Sequence, residues 1–392
     1  MVKDAQKYAL RGVSATKQEV HNAIQQSDKG LFPTAFCKIL PDFAAQDAAF
    51  CNIMHADTAG TKTALAYLYW RETGDLSVWK GIVQDAIVMN LDDMACVGCT
   101  NDFILSSTVG RNKRLIPGEI IRTIIESATE FADKMRTFGV NIHLAGGETA
   151  DVGDIVRTID VGYTAFARMN RNHLVVNKIQ TGDLIVGFAS DGKATYEDEY
   201  NGGMGCNGLT SARHDILHQM YAEKYPETFD PGLPAEVLYL GNKKLTDTFV
   251  VDNHTLTVGK LILSPTRTYL PVLTEILKHY RTSIHGMIHN TGGGLTKVLK
   301  FVENVHIIKN NLIPTPPLFQ LIQAESNTDW HEMYQVFNMG NRLEIYTDEK
   351  SAMELIDIAG KFNIRAQIIG HVAANPKGER LTVQSPYGIF KY

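Results

Sequence analysis

The stretch from residue 120 to residue 150 constrains the fold more than any other. Ile120, Ile121, Ile124, Ile125, Ala128, Phe131, Ala132 and Met135 recur at helical spacing, and Gly139 supplies a left-handed stop. Val140-Asn141-Ile142-His143-Leu144-Ala145 then reads as a strand that runs directly into Gly146-Gly147-Glu148-Thr149-Ala150. A helix that delivers the chain to a strand ending in two glycines predicts an α/β unit with a working loop at the strand end.

The same alternation recurs. Phe50 to Ala56 reads as a strand. In the second half, Asp183 to Ala189 reads as a strand, Tyr269 to Tyr280 as a helix, and Ile284 to His289 as a strand entering Asn290-Thr291-Gly292-Gly293-Gly294. A strand at Arg342 to Tyr346, a helix from Glu349 to Phe362 and a strand around Ile368 to Val372 follow. At 392 residues the chain exceeds what one core usually organises, so two domains are expected. Arg171-Asn172-His173 and Lys178 to Gly182 interrupt the pattern and place the boundary near residue 175, giving domains 1–175 and 176–392.

Net charge is −5 with scattered Lys and Arg, so nucleic acid is not an expected partner. No apolar run is long enough for a bilayer span, and Met1-Val2-Lys3-Asp4-Ala5 lacks the apolar core of a signal peptide. The 5 cysteines, an odd number, fit reduced thiols, and a cytoplasmic location is expected. Cys96-Val97-Gly98-Cys99 has zinc or redox spacing, but no second pair completes a site. Small buried thiols packing a helix end are the favoured reading.

Three constellations carry chemistry. Asp57-Thr58-Ala59-Gly60-Thr61-Lys62 offers a carboxylate, hydroxyls, a flexible glycine and a lysine at a strand end, groups suited to a hard cation and phosphate, or to a plain turn. Asp92-Asp93 follows Asp85 in an apolar segment, where adjacent acids repel unless a cation compensates them; a helix end with one exposed and one paired acid is the alternative. Neither glycine loop is a Walker or dinucleotide motif, although both let backbone N–H groups approach an anion.

Together these pieces resemble phosphoribosylaminoimidazole synthetase, the cyclo-ligase acting on phosphoribosylformylglycinamidine. Asp57 to Lys62 is similar to the family's Asp-Gly-x-Gly-Thr-Lys, Met89 to Asp93 to its Met-x-Val-Asn-Asp, and Gly146 to Ala150 to its Gly-Gly-Glu-Thr-Ala. Ser264 to Tyr269 resembles Ala-Pro-Thr-Arg-x-Tyr, and His289 to Gly294 resembles His-x-Thr-Gly-Gly-Gly. His331-Glu332-Met333-Tyr334 with Phe337 to Gly340, and Tyr8 to Ser14 at the start, complete seven blocks in family order. Three departures stand out. Asp92 replaces an Asn, Thr58-Ala59 replaces Gly-Val, and about a dozen family residues are missing between Ser14 and Gly30. In addition, Gly-Pro-His-Ser-Asn-Gly becomes a longer Ser190 to Gly208 with no His before Asn207-Gly208.

The resemblance implies a two-domain AIR synthase-like α/β (mixed α+β) fold whose N-terminal domain pairs strands across a homodimer. It implies ATP bound without a Walker loop, Mg²⁺, and formylglycinamidine ribonucleotide as substrate for ring closure in purine biosynthesis. Carried onto this chain, Asp57, Lys62, Asp93 and His289 become catalytic. Lys62, Gly146, Gly147, Glu148, Thr149, Asn207, Gly208, Gly292 and Gly293 become nucleotide contacts, and Asp57, Asp93 and Glu148 become metal ligands. A thiamine-monophosphate kinase or selenophosphate synthetase, or a non-catalytic nucleotide sensor, are the competing readings. Two further expectations concern single segments. Lys193 to Gly205 is expected to form a mobile lid, and Phe50 to Ala56 would be an apolar edge unless a second subunit covers it.

Overall fold

The computed structural model describes residues 9–13, 18–24, 26–376 and 378–392. Tyr8, Ser14 and the first five residues, on which parts of the sequence reading fell, lie outside them. Two sheets organise these residues. The first is built from β1 (Ile39–Pro41), β2 (Phe50–Thr58), β3 (Phe103–Arg111), β4 (Ile142–Asp151) and β5 (Ile159–Asn170), in the order β1-β2-β5-β3-β4. Helices α1 (Lys62–Thr73), α2 (Ser77–Ala95) and α3 (Gly118–Arg136) follow β2 and β3 in the chain.

α2 is apolar almost all round, as a helix in the centre of a protein must be, with Trp79, Ile82, Val83, Ile87 and Leu91 buried between sheet and second domain. α3 is the helix of the opening periodicity. Its Ile120, Ile124, Ala128, Phe131 and Met135 face inward while Ile125 remains 60% exposed.

The second sheet contains β6 (Leu184–Ala189), β9 (Ile284–His289), β10 (Val305–Lys309), β11 (Asn341–Thr347), β12 (Ala366–Ala374), β13 (Leu381–Ser385) and β14 (Gly388–Lys391), ordered β14-β13-β10-β12-β6-β11-β9. Helices α4 (Leu270–Tyr280) and α5 (Glu349–Lys361) accompany it. A hairpin of β7 (Thr248–Val251) and β8 (His254–Thr257) stands apart. No helix among the described residues is long and apolar enough to cross a membrane.

Two sequence expectations change here. Gly146 to Ala150 is not a loop, because β4 continues through it to Asp151, paired in parallel with β3. Gly146, at φ 89°, absorbs the register shift opposite Leu105–Ser107 that a residue with a side chain would resist. Nor is β2 simply an edge. β5 covers one side throughout and β1 covers Cys51 to Ile53 on the other, leaving the edge open only beyond Ile53.

Candidate active site at the domain junction

The last three turns of α2 deliver four polar side chains to the junction, and helical spacing decides what each meets. Asp85 and Asp92, seven residues apart, share a face that lies against residues 264–269. The Asp85 carboxylate accepts from Thr266 N at 2.7 Å, Thr266 Oγ1 at 2.6 Å and Lys62 Nζ at 2.8 Å. Asp92 accepts from Thr268 Oγ1 at 2.7 Å and from Tyr269 N at 2.8 Å, at the start of α4. Burial pushes the Asp92 carboxyl up to about 7, with these two donors and the Arg342 charge offsetting part of the rise.

Asn90 and Asp93, three apart, face β2 instead. There strand alternation puts His55 and Asp57 on the helix-covered side. His55 Nδ1 donates to Asn90 Oδ1 at 2.9 Å, and its Nε2 lies 3.5 Å from Asp93 Oδ2. The other carboxylate oxygen of Asp93 stands 2.7 Å from Nδ1 of His289, the last residue of β9. Nε of Arg342 donates to His289 Nε2 at 3.1 Å. Since Nε2 accepts, the imidazole proton sits on Nδ1 and is given to Asp93.

Burial, together with the Arg342 and Lys297 charges, lowers His289 to about 4 despite Asp93, so the ring is neutral. Burial would raise Asp93. Hydrogen bonds from His289 and His55 outweigh it and hold the carboxyl well below its usual range. Burial likewise disfavours charging His55, but Asp93 and Asn90 raise it overall.

Around this core other sequence blocks converge. Thr61 and Thr210 hydroxyls meet at 2.7 Å and tie the Asp57 turn to the Asn207-Gly208 block. A side chain on Gly292 would meet Asn207 Nδ2 at 3.3 Å, and the buried Asn207 Oδ1 has no partner among the described residues. Lys297, at the first turn after the three glycines, donates to Thr291 Oγ1 at 2.8 Å and lies 5.3 Å from the Phe36 ring centre. Gly205, at φ 69°, lies where a Cβ would sit 2.1 Å from Arg342 Nη1, so the close approach of this segment to the guanidinium requires glycine.

Several expected groups lie elsewhere. Lys62 does not face the cleft. Its ammonium is fully buried, donating to Asp85 and to Ser264 O at 2.6 Å, because α1's first turn points it into the core where only a carboxylate makes its charge tolerable. Gly147 aligns with Ser107, Tyr163 and Asp57 across three strand spacings, roughly 14 Å. Glu148, with Gly146 and Thr149 on the same edge strand, is exposed and aligned with the outward-facing Thr108. Asp57, Asp93 and Glu148 therefore do not form one cluster. Among the described residues no three His, Cys, Asp or Glu side chains are placed to hold a metal ion.

The Lys193 to Gly205 segment is not a free lid. Tyr196, Tyr200 and Met204 are buried, and Glu197 pairs with Arg267 at 2.5 Å, which gives a fully buried guanidinium its counter-charge. Cys96 and Cys99 are buried free thiols at the end of α2, and burial raises Cys99 to about 12.

Sequence reasoning missed His55, Lys297 and Arg342. Lys297 had a signal, a lysine one turn beyond a glycine loop. His55 and Arg342 had none, since their partners lie 35 and 53 residues away.

The N-terminal domain of AIR synthase related proteins matches residues 45–169, and the C-terminal domain matches residues 231–382. The phosphoribosylformylglycinamidine cyclo-ligase of Methanocaldococcus jannaschii is 29% identical over 290 residues, covering 74% of this chain and 70% of that protein. The protein of that name from Staphylococcus aureus is 26% identical over 331 residues, covering 81% and 79%. Phosphoribosylformylglycinamidine synthase II from Thermotoga maritima superposes with TM-score 0.55 at 14% identity over 98% of this chain, which spans only 50% of that one. AaThiL complexed with AMPPCP and TMP superposes with TM-score 0.51 at 11% identity over 96% of each chain. At such identities the structural likeness shows the fold alone.

Proposed function

The chain belongs to the family of AIR synthase related proteins through both of its domains, and we propose that it closes the imidazole ring of aminoimidazole ribonucleotide from formylglycinamidine ribonucleotide, at the expense of ATP. Its curated relatives carry the name of that reaction. The observation that carries the reading is the His289–Asp93 pair, with the Asp57 turn, the Asn207-Gly208 block and the Thr291–Gly293 loop gathered around it.

In this reading the formamide oxygen of the substrate takes the γ-phosphoryl group, the amidine nitrogen attacks the activated carbon, and phosphate leaves with that oxygen. Phosphorylation converts a poor leaving group into a good one, and holding nitrogen and carbon in contact supplies much of the remaining acceleration. Neutral His289 is oriented by Asp93. Lys297 and Arg342 have no carboxylate within ion-pair distance among the described residues, and supply positive charge for phosphate oxygens. Lys297 takes the role that its sequence motif suggested for Lys62. Mg²⁺ suits this reading as an ion arriving on the nucleotide phosphates.

We also propose a homodimer. β4 is an open edge, and the face of the first sheet opposite α2 is bare, with Met54 60% and Ile104 43% exposed beside Phe166. A cytoplasmic setting accords with thiols that are all free. The test is ATP turnover across formylglycinamidine ribonucleotide, thiamine monophosphate and selenide. Strong stimulation by the first with formation of aminoimidazole ribonucleotide supports the proposal, whereas stimulation by either other compound overturns it.

A further inference from the structure

A second cavity, of about 670 Å³, opens on the flank of α2 and α3 away from Asp93. Its floor includes the start of α2 from Ser77 to Gln84. Gln84 precedes Asp93 by nine residues, about 13 Å along the helix, so this space is separate from the His289 cleft. Its far wall is residues 193–201, within the segment by which this chain departs from the family pattern, closed by β8.

The volume falls within the range of small-molecule sites. Phe131, Tyr196 and Tyr200 line it, and the His254 ring lies 5.1 Å from that of Tyr200, giving flat apolar surfaces suited to a planar ring. The Tyr200 hydroxyl is buried with no partner among the described residues, a donor left for something else to satisfy. Lys193 lines the same space and has no carboxylate within 4.0 Å among the described residues, while Lys260 is already paired with Asp75.

The walls are wired to the candidate active site. Tyr196 Oη donates to Thr268 O at 2.5 Å, Glu197 pairs with Arg267, and Asn201 Nδ2 donates to Pro265 O at 2.7 Å. On their other side, residues 264–268 hold Lys62, Asp85 and Asp92. We propose that this cavity is a regulatory site for a planar heteroaromatic monoanion or dianion of nucleoside monophosphate size. The ring lies among Phe131, Tyr196, Tyr200 and His254, and Lys193 meets the anionic group. Occupancy fixes the 193–201 wall and through residues 264–268 biases the geometry at Asp92 and Asp93.

The proposal is independent of which reaction the chain catalyses. Calorimetric titration with adenosine monophosphate as probe tests it on the full chain, alongside adenosine and inorganic phosphate separately. One saturable site per chain is expected, bound more weakly by adenosine and not by phosphate. Asp93→Asn leaves it unchanged. Lys193→Glu weakens it by about tenfold or more without altering basal turnover, and Tyr200→Phe weakens it without unfolding the protein. Saturating probe should also change the turnover number at saturating ATP. Absence of saturable binding at millimolar probe overturns the proposal. So does binding lost in Asp93→Asn but unaffected by Lys193→Glu, or inhibition that excess ATP fully relieves, because either puts the probe in the ATP cleft.

Discussion

The imidazole of His289 reaches across 196 residues of sequence to place Nδ1 2.7 Å from the Asp93 carboxylate, and Arg342 on its far side fixes which nitrogen carries the proton. Asp93→Asn keeps one acceptor for His289 but presents an amide toward His55. Turnover is expected to fall on the order of a hundredfold, the scale of losing one preorganised electrostatic contact. Stability is expected to fall by about 1–3 kcal/mol, because buried donors lose a charged acceptor. Repulsion between the adjacent Asp92 and Asp93 would favour the opposite outcome on stability. The structure gives each carboxylate its own donors, so little repulsion is left to relieve. Steady-state kinetics with thermal unfolding checks both outcomes; full activity in the variant contradicts the assignment.

Asp92→Asn restores the residue typical of the family motif, and its effect should depend on pH. The folded carboxyl, raised to about 7 from 3.8, keeps a proton that the unfolded chain has already lost. Between about pH 4 and pH 7 Asp92 therefore erodes stability as pH rises. His289, lowered to about 4 from 6.5, acts oppositely, since the unfolded chain takes up its proton first as pH falls. Asparagine removes only the Asp92 contribution. Relative to wild type, the variant should gain roughly 1–3 kcal/mol on going from pH 5 to pH 8, below the limit of about 4 kcal/mol set by the size of the shift. A pH-independent difference in unfolding midpoint contradicts this.

Lys62 and Lys297 should separate cleanly. Lys62→Met strands the buried Asp85 and is expected to cost about 3–5 kcal/mol of stability. Lys297→Met removes a half-buried cation that pairs with no carboxylate among the described residues. It should leave the unfolding midpoint within about a degree or two while raising KM for ATP about tenfold. The reverse pattern returns the phosphate role to Lys62.

Ile104→Glu places a charge on the bare face of the first sheet, where a monomer loses nothing by solvating it. Light scattering should report a dimer for the native chain and a monomer for the variant. A native monomer with full activity contradicts the proposed assembly.

Legibility in the sequence followed the range of the interaction. The period of α3, the strand at β9 and the helix at α5 depend on neighbours three or four residues away, and all were readable. Asp93 and His289 were singled out by their motifs, but not as partners. The continuation of β4 through Gly146 to Ala150 was missed because glycines usually end strands, whereas here one absorbs a bulge against β3. The Lys62 motif says nothing of Asp85, 23 residues on, which takes its charge. The 193–205 segment looks like a polar lid, yet Arg267 and Thr268, some 70 residues away, draw Glu197 and Tyr196 inward.

The most direct test of the ring-closing reaction follows one oxygen atom. Formylglycinamidine ribonucleotide labelled with oxygen-18 at the formyl group is converted in a single turnover with ATP, and the released phosphate is analysed by mass. Transfer of the phosphoryl group to the formamide oxygen predicts one labelled oxygen in each phosphate, equimolar with aminoimidazole ribonucleotide. Unlabelled phosphate, or no phosphate release with this substrate, contradicts the account.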